Sequence, residues 1–558
     1  MEYESSTMLV HEETRAIAGK RGSSNWNRLM RAKPIADVYR EAGERQLNRT
    51  LGRANLLNLG VGAIIGSGIF VLTGQAAAAH AGPAVIVSFL IAAVACGFAG
   101  LCYAELASKI PASGSAYTYA YCTLGEVFAW IMGWLLILEY AIAASLVAVG
   151  WSGYVVTLLS DFGITFPHIM ISGELQPCWA TPLILLQLAD SGGYALRFTS
   201  TFNLVAAIGT MIITGLLMAG VRESVRFNNV VVAIKVCVLL GFIAVGVCYI
   251  DPRNWSPFIP ESTTGRFGEF GWSGVWRAAG IIFFAYVGFE AVSTAAAEAR
   301  NPQRDVPFGV LGSLAVCTAL YIAVAVVLTG IVPFHELGVP DPIAVAADRV
   351  SPVWARVPLA MSPHGTLNLI SLLIKLGAVA GLTTVMLVLC YGQTRIFYSM
   401  ARDGLLPELF ARVHPRCRTP WKGTLLLGLL VAAAAALLPL DVLSNLVSLG
   451  TALAFAIVCY CALRLRRMAP ADAMTFRGVG GIWTPVLGII TCLLLAVFNF
   501  VPMVQSALHH DPVPLAILLV YCLVGLLTYV FYGLRNSRLN RTPAKHIARA
   551  CHEQLQHG

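Results

Sequence analysis

Between Gly60 and Phe70 the chain reads Gly-Val-Gly-Ala-Ile-Ile-Gly-Ser-Gly-Ile-Phe, with glycines 60, 62, 66 and 68 inside an otherwise apolar stretch. Each glycine costs a helix roughly 1 kcal/mol relative to alanine, so the spacing predicts an unwound turn. Lipid offers backbone groups no partner, so such a turn must be covered by protein or line a cavity. A half-helix opening at Gly66, Ser67, Gly68 and Ile69 points free N–H groups and a positive dipole end at an anion such as a carboxylate. Carbonyls released at Ala63 and Ile64 suit an ammonium group. A second segment, Phe283-Phe284-Ala285-Tyr286-Val287-Gly288-Phe289-Glu290, repeats the pattern. Its break falls at Gly288, and the carbonyls of Phe284 and Ala285 add to the cation side. Opposite charges held by opposite ends of broken helices describe an α-amino acid. The competing reading is that these glycines only let helices pack closely.

Ionisable residues inside apolar stretches are expensive and point to function. Lys235 lies in Val-Ala-Ile-Lys-Val-Cys-Val, where a charge costs about 2.5–3.5 kcal/mol on insertion scales. A buried lysine can release its proton near neutral pH; alternatively it snorkels or bridges helix ends structurally. Fixed or titrating, its ammonium can brace the first helix against the eighth. Glu139, in Leu-Ile-Leu-Glu-Tyr, has four readings. It pairs with Lys235, receives a cationic substrate side chain, carries a proton, or is satisfied by nearby backbone. Lys375 is expected to snorkel, and Glu105, Glu126 and Glu298 to tie loops at helix ends.

These residues need membrane-spanning helices to position them. The 558 residues are 57% hydrophobic and 12% charged, the latter about half the share of a soluble domain, and the mean hydropathy is +0.72. Apolar runs of spanning length fall near 55–79, 83–108, 128–159, 202–221, 228–250, 274–297, 309–333, 369–399, 423–439, 441–463, 483–503 and 513–533. With both termini cytoplasmic, thirty of the 38 Lys/Arg fall inside and six outside, as the positive-inside rule requires. The formal charge of +9 is then topology and attraction to anionic lipid in the bilayer, not a nucleic-acid footprint. The two broken spans are five helices apart, and an odd repeat inverts one copy relative to the other. Long outer connections are expected at about 160–200, 251–273 and 334–368. The polar start of the chain lacks a signal-peptide core, so the first span directs insertion. No CxxC or HExxH spacing occurs, and no catalytic set lies at one depth, so neither a metal, a cofactor nor an enzyme activity is expected. The cysteines read as small core residues rather than a disulfide framework. Cys178 stands in an outer loop.

Taken together, GVGAIIGSGIF (60–70), YAELASKIPASGSAYTYAY (103–121), GWLLILEY (133–140), FFAYVGFE (283–290), EARNPQRDVP (298–307) and TRIFYSMARDGLLPELFARVHPRCRTP (394–420) resemble the amino acid–polyamine–organocation superfamily. Within it they are similar to the cationic amino acid transporter branch and its bacterial relatives. The resemblance covers about 40 to 535. It implies an all-α integral membrane protein of twelve transmembrane helices, a LeuT-like 5+5 inverted repeat with helices 1 and 6 broken, plus two extra helices. It implies alternating access, with Phe284 as an outer gate, and Lys235 at the position where proton-coupled relatives replace sodium by lysine. The corresponding divisions are basic cytoplasmic tails at 1–50 and 536–558, a first repeat over 51–250, a second over 251–463 and helices 11–12 over 464–535. The expected activity is proton-coupled import of L-α-amino acids across the cell membrane, with an exchanger or exporter of amino acids or polyamines as the alternative. A nutrient sensor would usually carry a soluble domain, and no polar segment approaches one in length. No glycoprotein partner is implied.

Overall fold

The computed structural model describes residues 31–34, 51–110, 115–164, 184–188, 194–198, 202–220, 225–262, 265, 267–350, 355–358, 366–414, 419–468, 479–508 and 512–538. Most of the two tails, Cys178 and the side chain of Glu298 lie outside these residues. Among the described residues nine helical segments are long and apolar enough to cross a membrane, and two shorter apolar helices join them.

The first of these segments, Arg53–Lys109, is not one rod. Helix α1 (Arg53–Ile64) stops at Ile65, which is extended with ψ 96°, and Ile65 and Gly66 form a bend before the helical path resumes at Ser67. The path ends at Gly82, whose φ of +58° and following Pro83 turn the chain into α2 (Val85–Lys109). Next come α3 (Ser115–Thr123), α4 (Glu126–Ile137), a five-residue π-turn (Leu138–Ile142) and α5 (Ala143–Ser160). Helices α6 (Leu204–Met218) and α7 (Val225–Gly246) precede the second interrupted span. There α8 (Gly271–Phe283) tightens into a 3₁₀ turn at Phe284–Tyr286, breaks at Val287 and Gly288, and resumes as α9 (Ala291–Thr294). The remainder is α10 (Pro302–Ile331), the short α11 (Pro342–Arg349), α12 (Leu369–Arg402), α13 (Trp421–Leu437), α14 (Leu440–Met468), α15 (Trp483–Leu508) and α16 (Val513–Thr528).

Helix α1 is enclosed by α10 and α7, α8 rests on α2, and α5 packs along α12. The span holding α8 and the span Leu440–Arg467 are each 83% buried over their most apolar window, against 22% for Val513–Asn536. The broken segment is therefore central, and the last helix, with Leu519, Val520 and Phe531 exposed, faces lipid.

The spans are helical, as expected; the connections add two hairpins, and the expectation of a snorkelling lysine is overturned. Short antiparallel hairpins pair Ile184–Leu188 with Tyr194–Phe198 and Arg356–Pro358 with Thr366–Asn368. They lie in connections rather than in spans, where strand edges need not face lipid. Lys375 does not snorkel: it is fully buried and its Nζ lies 2.8 Å from Asp161 and 3.1 Å from Asp348. Carboxylates brought by neighbouring elements remove the need to reach for water. The tying role does hold for two glutamates. Glu105 forms a buried pair with Arg466, and Glu126 accepts from Ser537 at 2.5 Å. No disulfide joins the eleven cysteines among the described residues, and most of them are buried.

Gly288 carries a φ of +123° and a Cβ there would lie 2.6 Å from the backbone carbon of Ala63. Gly288→Ala is expected to lose more than the ~1–3 kcal/mol of an unfavourable φ alone, read as a lower melting temperature of the purified protein. An unchanged melting curve would show that the two breaks do not abut.

Candidate functional site

The two interruptions meet. A Cβ on Gly68 would fall 2.2 Å from the Ala285 Cβ and 2.4 Å from its Cα, so the start of the resumed first span crosses the second with no side chain of its own between them. Gly288 and Ala63 make the reciprocal contact. Gly60 and Gly66 behave differently: they make room for Ser313 and for Val385, which is the packing role. Close approach at Gly60 and Gly66, and crossing backbones at Gly68 and Gly288, thus coexist in one motif.

The amide end of the first break is open. Phe70 is the first residue of the resumed helix to bond back, to the Gly66 carbonyl at 3.2 Å. The amides of Ser67, Gly68 and Ile69 precede it and make no backbone hydrogen bond among the described residues. All of 66–69 is buried. These are the N–H groups that a helix start always leaves over.

The carbonyl end is largely taken by protein. Lys235 Nζ donates to Gly62 O at 3.0 Å and to Ile65 O at 3.1 Å. Its stem lies across Gly381 of α12, where a Cβ would come within 3.2 Å of its Cε. One lysine thus joins the end of α1 to α12. Tyr321 Oη lies 2.6 Å from Ile64 O and 3.1 Å from Ala285 O, positioned to donate to either. Phe284 O accepts from the Val287 amide at 2.9 Å. Of the four carbonyls expected to await a cation, Ile64, Phe284 and Ala285 already have a partner, and Ala63 O faces Gly288. Each oxygen keeps a second lone pair. The Phe284 ring is buried, 5% exposed, at the crossing.

Glu139 and Glu290 lie to one side. Glu290 accepts from the Gly288 amide at 2.7 Å and from Tyr140 Oη at 3.1 Å. Glu139, in the π-turn beside Tyr140, is fully buried and neither carboxyl oxygen has a hydrogen-bond partner among the described residues. Two of its four readings therefore fall away: it makes no hydrogen bond with Lys235 and none with neighbouring backbone. Tyr103 Oη and both amide atoms of Gln393 are likewise buried without partners.

The sequence profile of proteins described as amino acid permease matches residues 51–524. The chain belongs to the amino acid permease family. It is 40% identical over 513 residues to a methylthioribose transporter of Bacillus subtilis, and 41% over 515 residues to the branched-chain amino acid permease BcaP of the same organism. Both alignments cover 92% of this chain and 99% of the relative. A human cationic amino acid transporter 4 is 36% identical over 448 residues, covering 80% of this chain and 64% of that one. The permease is therefore a multi-pass membrane protein of the amino acid–polyamine–organocation superfamily, and its relatives are named transporters rather than enzymes.

Tyr321 is the residue that reading the motifs missed. Its signal was present: a buried tyrosine in mid-span usually finds an acceptor for its hydroxyl, and the carbonyls freed at a backbone break are such acceptors. Tyr321→Phe leaves two buried carbonyls without that donor, at about 1–3 kcal/mol. A lower melting temperature and weaker substrate binding by the purified permease are expected. Wild-type values of both would mean the hydroxyl bridges nothing of consequence.

Proposed function

We propose that the permease imports L-α-amino acids across the cell membrane together with a proton, by alternating access around the crossed breaks. The observation that carries this reading is the open row of buried amides at Ser67, Gly68 and Ile69, set directly against Ala285. That row fits a carboxylate, as does the positive end of the half-helix behind it. The second lone pairs of the Ala63, Ile64, Phe284 and Ala285 carbonyls receive the ammonium group, with Phe284 closing over it.

Counting the Arg53–Lys109 segment as two passes, and adding the two shorter apolar helices, brings the total to twelve. Helices 1–5 (51–250) and 6–10 (251–463) then form the inverted repeats, and 464–535 holds the last two. Both termini are placed on the cytoplasmic side by the Lys/Arg balance. Lys235 is assigned to coupling: it stands where a cation would join helix 1 to helix 8, and loss of its proton would release Gly62 O and Ile65 O. Glu139, buried with no partner, has two ways of being satisfied, a bound proton or a cationic group arriving with the substrate.

Lys235→Ala is expected to stay folded but lose the response of uptake to an imposed pH gradient in liposomes. The panel for that assay includes leucine, arginine and methylthioribose, the cargo classes named for the relatives. Gradient-driven uptake that survives the substitution would remove Lys235 from coupling. Enlarging Gly68 to valine is expected to abolish binding of every amino acid without loss of membrane insertion. Tight binding by that variant would displace the carboxylate from this turn.

A further inference from the structure

At the end of the bundle remote from Glu105 and Arg466, the connection between α10 and α12 is pressed onto the resumed half of the first span. Two glycines cut its seat. A Cβ on Gly74 would lie 2.4 Å from Pro342 Cβ and 2.6 Å from Leu337 O, and one on Gly153 would lie 2.8 Å from Pro340 Cβ. Close by, Tyr154 Oη donates to Phe70 O at 2.8 Å. The segment 337–349, including α11, therefore covers the half-helix whose start holds the open amides. On the orientation proposed above, it covers them from outside.

Asn368 Nδ2 donates to Ala347 O at 3.2 Å, and two further polar contacts that hold this cover involve ionisable groups. One is the buried Lys375 between Asp161 and Asp348, with the Ser371 hydroxyl also on Asp348. The other is Asp341, 8% exposed, whose Oδ2 lies against the Thr157 hydroxyl. Although Asp341 precedes α11, its side chain makes no capping bond to that helix. Thr157 Oγ1 also lies 2.9 Å from Gly153 O, and a hydroxyl has a single proton to give. With Asp341 ionised, the Gly153 carbonyl and the carboxylate compete for that proton. With Asp341 protonated, its own O–H donates to Thr157 Oγ1 and Thr157 donates to Gly153 O, so every group is satisfied.

We propose that Asp341 is a second proton site, distinct from Lys235, and that seating the 337–349 cover on the first span takes up one proton there. Burial raises the Asp341 carboxyl above its ordinary range, opposed by the Thr157 bond and by Lys375 and reinforced by Asp348. The charged and titratable surroundings are few. Asp348 and Arg349 share α11, and Arg349 pairs with Glu336, beside His335. Lys375 comes from α12, and Tyr154 and Asp161 come from α5 and its end. On the resumed first span, 68–81, the one titratable residue is His80, whose Nδ1 lies 3.0 Å from Gly268 O, and on α10 Arg304 and Asp305 lie at the far end, with Cys317 and Tyr321 near the breaks. The direction follows from linkage. The seated state binds more protons than the open one, so seating is strongest below the ordinary carboxylate value and weakens as pH rises through the raised one.

The test is hydrogen–deuterium exchange of the purified full-length permease, without substrate, with rates corrected for the intrinsic pH effect. In the wild type, opening of the 337–349 amides is expected to be several-fold rarer at pH 5 than at pH 7, and one proton permits no more than about tenfold per pH unit. Asp341→Asn keeps the shape, cannot ionise, and is expected to hold the same protection at both pH values. Asp348→Asn, which loosens the Lys375 contact, is expected to lower protection at both but to keep the pH response. A wild type with no pH response, or a response that persists in Asp341→Asn, overturns the proposal. Because transport is not measured, neither result depends on Lys235 coupling.

Discussion

Main chain that leaves the helical ladder inside an apolar slab has to be paired by something other than lipid, and the rest of this permease is arranged around that demand. Unpaired N–H and C=O groups in such surroundings cost several kcal/mol each. Here the freed carbonyls of the first break are met by Lys235 from α7 and Tyr321 from α10. Neither helix could be moved outward without exposing them. The demand therefore explains the enclosure of α1 by α7 and α10 as well as the presence of a cation in a span.

The pairing is lopsided, and the proposed ligand site rests on that lopsidedness. On the carbonyl side protein donors have arrived already, while the amides of Ser67, Gly68 and Ile69 are buried with none. In the proposed function an anion bound there adds what the fold withholds. Glu139 offers the opposite imbalance, an acceptor group with no donor. Both groups lie in the buried interior, where each interaction is stronger than it would be at the surface.

Charges at the two ends of the bundle do a different job. Glu105 with Arg466 at one end, and Lys375 with Asp161 and Asp348 at the other, fasten helices distant in sequence. Exposed pairs of this kind contribute little. Removing the carboxylates from a cation as buried as Lys375 or Arg466 is costly, because the cation is left charged and dry. Such pairs favour rigid ends around a centre whose backbone is already interrupted.

The sequence alone determined the class of molecule, the two places where helices break, and the membership of Lys235 and Glu139 in the interior. These follow from local costs: apolar length, glycine's weakness in a helix, and the expense of a charge in a span act on each segment by itself. Tertiary structure alone decided how those pieces satisfy one another. That Gly60 packs while Gly68 crosses backbone, that Tyr321 reaches both breaks, and that Lys375 meets two carboxylates instead of water depend on which helix lies beside which. No spacing along one segment encodes the neighbour that supplies its missing hydrogen bond, because that partner lies tens to hundreds of residues away and is chosen by packing.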